Sequence, residues 1–254
     1  GDHNENINPK SFNEQKILRI CKRYSDLIAG LKLRISAEIA TDSQTTSFDA
    51  LRRGIEIAQR CGLPLSVHMP NFQGELSGLI DILRPGDIFC HVYTPQKGIL
   101  EDGSVSEEMK RAVQKGIILE SACGKGHFGH ECAGKAIQAG IEPNIISGDF
   151  TKNTHHFEPA VSLPYLMSRF LGLGLSFEKV LSCCTTEPAK QMGMEGKIGC
   201  LKTGAFANIA VLERRQKDIV FVDVKGKEVR GNELIIPVMT ILEGEPVYRN
   251  MSAF

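Results

Sequence analysis

The stretch Leu63-Pro64-Leu65-Ser66-Val67-His68 carries the pattern that decides the fold. A short alternation of apolar and polar residues follows a proline and ends in a histidine, which predicts a strand over Leu65–His68. The stretch Asp87-Ile88-Phe89-Cys90-His91-Val92, which follows Pro85-Gly86, predicts a second strand of the same kind. Apolar residues at helical spacing over 76–83 separate the two. A strand, a helix and a strand in this order predict a parallel β-α-β unit.

The same alternation extends in both directions along the chain. Upstream, a helix that starts at a capping box in Ser11-Phe12-Asn13-Glu14 precedes a strand over 28–35, and Gly62 ends the next helix. Downstream, the pattern predicts a helix capped by Ser106, a strand over 117–120, a helix over 131–139, a strand over 144–147, and helices near 161–171 and 176–184. Five short apolar strands separated by helices predict a parallel α/β sheet.

The last part of the chain, after about residue 199, has a different pattern. Three short strands are predicted there, over 208–212, 218–222 and 227–229, and turns with glycine and charged residues separate them. Because no helix is predicted between them, we expect a small antiparallel β unit rather than a continuation of the parallel sheet.

The composition is that of an ordinary globular protein. The chain has 254 residues, 30 basic and 30 acidic side chains, a formal net charge of zero and 42% hydrophobic residues. The balanced charge gives no electrostatic reason to bind nucleic acid or an anionic membrane, and no window approaches the roughly 18 apolar residues that span a bilayer. The N-terminal residues lack the order of a secretory signal, so we expect a cytoplasmic protein whose eight cysteines are reduced thiols.

Polar side chains fall where three of the predicted strands end. His68 ends one strand, His91 lies near the end of the next, and Asp149 follows the last one. In parallel α/β folds the carboxyl ends of the strands form the active-site face. Two imidazoles and a carboxylate that converge there predict a site for zinc or a similar ion. Each of them alone also has a purely structural explanation.

Lys32 lies in the middle of a predicted strand, between Leu31 and Leu33. If its side chain points into a barrel, an ammonium there is costly unless it is paired or chemically altered. The alternation also allows Lys32 to face outward or to reach the rim, and Arg34 and Ser36 share its face.

A glycine-rich loop offers a second arrangement of metal-binding residue types. It contains Cys123, His127, His130 and Cys132, whose spacing matches no zinc-finger pattern. The alternative is a flexible segment built on Gly124, Gly126 and Gly129 that closes over a substrate.

With these residues in place, the chain resembles the amidohydrolase superfamily, in particular dihydroorotase-like metallohydrolases of the amidohydrolase/deacetylase branch. The resemblance covers most of the chain and is carried by residues 30–36, 63–68, 84–93, 145–149, 185–190 and 199–211. Its most specific part is Thr185-Thr186-Glu187-Pro188-Ala189 followed by the glycine- and alanine-containing stretch 199–208.

The resemblance implies a (β/α)8 TIM barrel, here seen as about five C-terminal βα units over 1–201, and the C-terminal part of a small β-sandwich domain over 202–254. It implies zinc, or one or two divalent ions, bridged by a carboxylated Lys32. His68 and His91 would hold the second ion, and Asp149 would contact the first and act as general base. The implied reaction is hydrolysis of an amide, cyclic amide or ester bond in a small N-acyl amino-acid-like or dihydroorotase-like molecule through a metal-bridging hydroxide. A homo-oligomer is expected.

The sequence departs from the family pattern in two places. Relatives hold the first ion with a His-x-His pair on their first strand, and this sequence contains no such pair. We therefore expect that the chain lacks the N-terminal part that carries that strand. Where relatives commonly have Asp-x-Gly-His-Gly, this chain has Glu120-Ser121-Ala122-Cys123-Gly124, which leaves the substrate class open. The alternative function is a non-catalytic barrel protein, binding or structural, without the first metal site.

Overall fold

The structure is a computed structural model that describes residues 5, 7–39, 46–124, 126–152 and 162–251. The chain divides into two compact units, Gly1–Glu120 and Ser121–Phe254. In the described part of the chain, the structure contains no helix that is long and apolar enough to cross a membrane.

The first unit is built on a four-stranded parallel sheet. In spatial order its strands are β1 (Leu31–Arg34), β2 (Leu65–His68), β3 (Ile88–Cys90) and β6 (Ile118–Glu120). A two-stranded hairpin of β4 (Leu100–Glu101) and β5 (Ser104–Val105) lies between the third and fourth of them in sequence. The helices of the unit are α1 (Glu14–Arg23), α2 (Ser47–Cys61), α3 (Leu76–Ile82) and α4 (Glu108–Gln114). The predicted parallel order is confirmed, since each neighbouring pair of strands is parallel.

The helix ends follow ordinary capping chemistry. Helix α2 begins at Thr46, whose side chain and that of Asp49 form a reciprocal capping box, and it ends at Gly62 with φ 68°. Helix α1 was predicted to start at a capping box in Ser11-Phe12-Asn13-Glu14, and this detail is wrong. Asn13 is the cap and accepts a hydrogen bond from the Lys16 amide, because Ser11 lies in a short 3-10 turn before the helix.

The helices cover one face of the parallel sheet, and the apolar residues of the strands point toward them. Leu65, Val67 and Phe89 are buried on that face. Gly54 of α2 brings the helix close to the sheet, since a Cβ there would lie 2.8 Å from the Leu33 Cδ2 atom. The side chains of the other face are therefore left to the candidate site.

A buried carboxylate joins the starts of β2 and β3. Asp87 Oδ1 accepts a hydrogen bond from the Leu65 amide at 2.8 Å, and its Oδ2 accepts one from the Arg84 amide at 2.8 Å. The Arg84 guanidinium donates to the same carboxylate at 2.7 Å and to the Leu63 carbonyl at 3.0 Å. Because Asp87 is fully buried, these bonds replace its hydration and fix the two strands against each other.

The second unit combines helices with an antiparallel sheet. Its helices are α5 (His130–Gln138), α6 (Leu163–Gly172), α7 (Phe177–Cys184) and α8 (Thr186–Gln191), and its sheet has the order β7 (Ile209–Val222), β8 (Glu228–Leu242), β9 (Glu245–Arg249). Helix α6 packs on β8, where the buried Ser168 hydroxyl accepts a hydrogen bond from the Ile235 amide at 2.8 Å.

Two details of the predicted strands are wrong. The fifth predicted strand, over 144–147, is not a regular strand, although the amides of Ser121, Cys123 and Gly124 donate in order to the carbonyls of residues 145, 147 and 148. The three short strands predicted for the tail are instead two long strands and one short one. The helix predicted near 161–171 is confirmed from residue 163 onward, and residue 161 lies outside the described residues.

Candidate metal centre

Two histidines lie side by side at the carboxyl ends of neighbouring strands. His68 is the last residue of β2, and His91 directly follows β3. Their ring centroids are 4.4 Å apart and the rings meet edge to face at 74°. His91 is buried and His68 is half-buried. Two adjacent imidazoles repel each other when both are protonated, but in the neutral form they can bind one metal cation between their ring nitrogens.

The backbone of His91 has a conformation that is uncommon for a residue with a side chain. Its φ is 63°, in the left-handed region. The turn that imposes it is fixed by hydrogen bonds from the Thr94 amide to the His91 carbonyl and from the Val92 amide to the Glu120 carbonyl. Positive φ at a non-glycine residue carries strain that proteins retain mainly where a side chain must be aimed. Here the strain turns the His91 ring toward His68.

The polar face of the sheet carries ionisable groups in register. Arg34, His68, Cys90 and Glu120 are aligned across β1, β2, β3 and β6, and Lys32 and Ser66 form the adjoining row. Since alternate residues of a strand share a face, both rows point away from the helices.

Lys32 lies on the face of the sheet that points away from the helices, the face of His68 and Cys90, and its amine is paired there. The Lys32 side chain is exposed, and its Nζ donates to the Cys90 Sγ at 3.0 Å and to the Ser66 Oγ at 3.4 Å. Its amine therefore lies on the same face of the sheet as His68, one row away along the strands.

Cys90 is a residue that the sequence interpretation missed. All eight cysteines are free thiols, and this one is buried. The pKa of the Cys90 thiol is raised to about 12, because burial and the nearby Glu120 carboxylate raise it by more than the Lys32 ammonium lowers it. The thiol is therefore neutral at physiological pH. Counting alternate residues back from His68 along its predicted strand is a signal that would have placed Ser66 on the face of the site. The same count from His91 gives Phe89, because the left-handed turn at His91 breaks the alternation, so no such signal pointed to Cys90.

Glu38 is a second residue that was missed, and it supplies negative charge close to His68. Burial raises the pKa of the Glu38 carboxyl, but a hydrogen bond from Asn71 and the charges of Arg34 and His68 lower it, and the net result is a lowered pKa. The Asn71 amide nitrogen donates to Glu38 Oε1 at 2.7 Å. Carboxylates in this position commonly orient a metal-binding imidazole and raise its basicity.

Asp149 belongs to the second unit. Its φ is 47° and its side chain is exposed. Gly124, with φ 50°, lies directly against it, because a Cβ on Gly124 would come within 2.8 Å of the Asp149 Oδ2 atom. An exposed carboxylate on a left-handed residue, with a glycine making room for it, is a suitable proton acceptor.

The glycine-rich loop does not assemble the alternative zinc site. Among the described residues, Cys123, His127, His130 and Cys132 do not form a group of four metal-binding atoms. The His130 amide donates to Asp223 Oδ2 at 2.7 Å, and its Nδ1 lies 2.8 Å from the Lys227 carbonyl oxygen. Burial lowers the pKa of His130, and the charge of Arg169 lowers it further. His130 therefore has a structural role in the second unit.

The structure thus brings some of the predicted site residues together. His68 and His91 are adjacent, and Lys32 lies on their face of the sheet. Asp149 lies in the other unit, where its neighbour is Gly124.

Comparisons with known proteins find matches both to the sequence and to the fold of the chain. Residues 168–248 match the family described as the amidohydrolase family. A deacetylase of Brucella anthropi is 27% identical over 94% of the chain, and a deacetylase of Agrobacterium fabrum is 28% identical over 94%. The crystal structure of a dihydroorotase is 26% identical and superposes with a TM-score of 0.84 over 96% of the chain and 63% of its own. The chain is therefore similar to proteins of the amidohydrolase superfamily.

The fold of the chain is likewise that of its structural neighbours. The crystal structure of an adenine deaminase, 21% identical, superposes with a TM-score of 0.88 over 96% of the chain and 66% of its own. The predicted fold class, part of a (β/α)8 barrel with a β tail, is confirmed by these barrel neighbours. The chain spans 58% of the length of the two deacetylases.

The residues of the first unit fit a divalent cation. His68 and His91 offer imidazole nitrogens, which zinc and similar ions bind. Glu38 adds a carboxylate whose charge acts on one of them. Two imidazoles with a carboxylate charge nearby are of the kind that divalent cations bind.

Proposed function

We propose that the chain is a metal-dependent hydrolase that cleaves a carbon–nitrogen bond, or a related ester bond, in a small molecule. The observation that carries the proposal is the adjacent pair His68 and His91 at the ends of neighbouring parallel strands. Similarity to known proteins supports it, because the deacetylases and the dihydroorotase that the chain resembles are named for reactions at such bonds.

Each of the proposed site residues has a distinct role. His68 and His91 hold a divalent ion, for which zinc is the first candidate, through their ring nitrogens. Once bound, such an ion polarises a carbonyl oxygen and acidifies water. Lys32, when carboxylated, contributes an oxygen ligand from the same face of the sheet. Glu38 supplies a negative charge that favours a cation at His68.

Asp149 is proposed to move the proton. Its exposed carboxylate accepts a proton from the attacking water and delivers it to the departing amine, so that nitrogen leaves as a neutral group. Gly124 keeps the space beside the carboxylate clear. N-acyl amino acids and dihydroorotate-like cyclic amides are the proposed substrates, because the names of the relatives point to deacetylation and to ring opening of this kind.

The test combines metal analysis with hydrolysis assays. The purified chain is analysed for zinc and assayed on N-acetyl amino acids and on cyclic amides, together with Asp149→Asn and, as a matched control, the exposed carboxylate variant Asp218→Asn. We expect Asp149→Asn to lose hydrolysis by about a hundredfold or more while retaining the metal, and Asp218→Asn to behave like the parent. Full turnover by Asp149→Asn with metal bound would show that the mechanism is wrong.

A second candidate function rests on the sequence itself. Because no His-x-His pair is present, the chain offers no counterpart of the first metal site of its relatives. The candidate is a binding or structural barrel protein that holds at most one ion. It predicts one zinc or fewer per chain and no hydrolysis of any acylated amino acid or cyclic amide. Turnover by the parent chain, abolished in Asp149→Asn, excludes it.

A further inference from the structure

A chain of polar contacts crosses the parallel sheet beneath the candidate metal centre. Lys32 on β1 donates both to the Ser66 hydroxyl on β2 and to the Cys90 thiol on β3, and Cys90 in turn contacts the Glu120 carboxylate on β6. All four residues belong to the first unit and share one face of its sheet.

The distance across the sheet restricts the conformation of the Lys32 side chain. Neighbouring strands are about 4.8 Å apart, so Cys90 lies roughly 10 Å from β1 across the sheet. Lys32 nevertheless places its Nζ 3.0 Å from the Cys90 Sγ. To do so its side chain extends over β2, instead of projecting into solvent as an exposed lysine does. An otherwise mobile amine is thus held in one place.

A thiol is well suited to the position of Cys90 between Lys32 and Glu120. A neutral thiol accepts a hydrogen bond at sulfur and has one hydrogen of its own to donate. The Lys32 ammonium donates to the sulfur, and the thiol hydrogen is directed to Glu120. Charges of opposite sign therefore lie on either side of Cys90, and the sulfur links them. An aliphatic side chain at this position would pack equally well but would leave both ends without this contact.

We propose that Cys90 is the positioning residue for Lys32, and that its thiol holds the Lys32 nitrogen where the carboxylated side chain would offer its oxygen to the metal centre. The contact itself is independent of the reaction, whereas its use at a metal centre rests on the proposed function. Removing the sulfur frees the lysine, and a hydroxyl in its place keeps the amine in position.

The experiment compares two variants that differ by a single oxygen atom, Cys90→Ser and Cys90→Ala, in the full chain. The first measurement is the rate at which trinitrobenzenesulfonate labels Lys32 in the metal-free chain, read by peptide mass spectrometry against the exposed Lys217 as internal standard. We expect Cys90→Ala to label Lys32 about fivefold faster than the parent, as loss of one hydrogen bond predicts, and Cys90→Ser to stay within about twofold.

The second measurement is the affinity of each chain for zinc. We expect Cys90→Ala to bind zinc about tenfold more weakly and Cys90→Ser to match the parent, which is the usual effect of removing a group that orients a ligand. A purely structural role for Cys90 would lower the unfolding temperature of both variants without separating their zinc affinities.

The outcomes separate the two proposals. Equal labelling of Lys32 in the parent and in Cys90→Ala overturns the positioning role, as does faster labelling with unchanged zinc affinity. A parent chain that binds no zinc but shows the expected labelling keeps the Lys32–Cys90 contact and overturns the proposed function. If Cys90→Ala fails to fold, Glu120→Ala removes the carboxylate at the other end of this series of contacts. There a labelling rate about twofold faster supports positioning and an unchanged rate overturns it.

Discussion

Gly124 faces the carboxylate of Asp149 so closely that a Cβ on the glycine would lie 2.8 Å from the Asp149 Oδ2 atom. The glycine also has φ 50°, a conformation that residues with side chains rarely adopt. Asp149 has φ 47° and lies at the end of the segment that accepts the Gly124 amide hydrogen bond through Gly148. The two residues therefore fix each other in an arrangement that no other pair of side chains would reproduce.

We expect Gly124→Ala to lower hydrolysis about tenfold, because the methyl group displaces the Asp149 carboxylate by a fraction of an ångström to an ångström. The left-handed φ adds a stability cost of about 1–2 kcal/mol, measurable by urea unfolding. Gly126→Ala is the matched control, since among the described residues no heavy atom lies within 4 Å of its added Cβ and its φ is ordinary. Equal activity of the two variants would contradict a role for the Gly124–Asp149 contact.

Substitution of either histidine is expected to release the metal. His68→Gln removes one of two neighbouring imidazoles, and we expect zinc affinity to fall about a hundredfold or more, measured by competition with a chromophoric chelator. His130→Gln, which changes a histidine of structural role in the second unit, is expected to leave zinc affinity unchanged. If both variants bind zinc like the parent, the pair is not a metal centre.

Asp87→Asn is expected to destabilise the chain by about 2–4 kcal/mol, because a buried amide cannot accept all the bonds that the carboxylate accepts and the Arg84 charge loses its partner. Glu107→Gln changes an exposed ion pair with Lys110, and we expect an effect of about 0.5 kcal/mol or less. Chemical denaturation at pH 7 compares the two. Similar midpoints for both variants would show that Asp87 does not join β2 to β3.

The second unit is expected to lose stability in two steps as the pH falls. Burial lowers the pKa of His130, so its contribution is complete above its ordinary pKa of about 6.5 and decreases as the pH falls below that value, where the unfolded chain takes up the proton. For Asp223, burial raises the pKa of the carboxyl, but hydrogen bonds from the amides of His130, Lys227 and Lys225 outweigh it, and the net result is a lowered pKa. Its contribution is complete above about pH 4 and is lost as the pH falls through its folded pKa.

Two variants assign these steps in thermal unfolding measured from pH 8 to pH 3. His130→Asn keeps a donor for the Lys227 carbonyl without a titrating ring, and we expect it to flatten the profile between about pH 7 and pH 5. Asp223→Asn is expected to flatten only the acid limb below about pH 4.5. If both variants show the same dependence of unfolding temperature on pH as the parent, groups other than His130 and Asp223 cause the acid sensitivity.

The local sequence pattern was sufficient to predict the elements at the centre of the parallel sheet. The alternation in Leu65–His68, bounded by a proline, gave the bounds of β2 residue by residue, and Gly62 marked the end of α2 correctly. The adjacency of His68 and His91 followed from a general rule, that the ends of neighbouring parallel strands meet at one edge of the sheet.

Contacts between strands could not be predicted in the same way. The pairing of Lys32 with Cys90 depends on strand register, which a single sequence does not contain, so the direction of the lysine stayed open. In the tail, charged residues between the predicted strands suggested turns. In the structure they continue one exposed strand, where Arg214 pairs with Glu233 across the sheet at 2.6 and 2.9 Å. Cross-strand ion pairs of this kind leave no periodic apolar signal.

The register of the parallel sheet has a consequence for how such a protein changes over evolution. Buried residues such as Val67 and Phe89 hold the helices on one face, while Arg34, His68, Cys90 and Glu120 stand on the other, one from each strand. We expect a substitution in that row to change the polar face of the sheet, and a substitution among the apolar residues to change the packing of the helices. The two faces thus offer separate positions for changing chemistry and for changing stability.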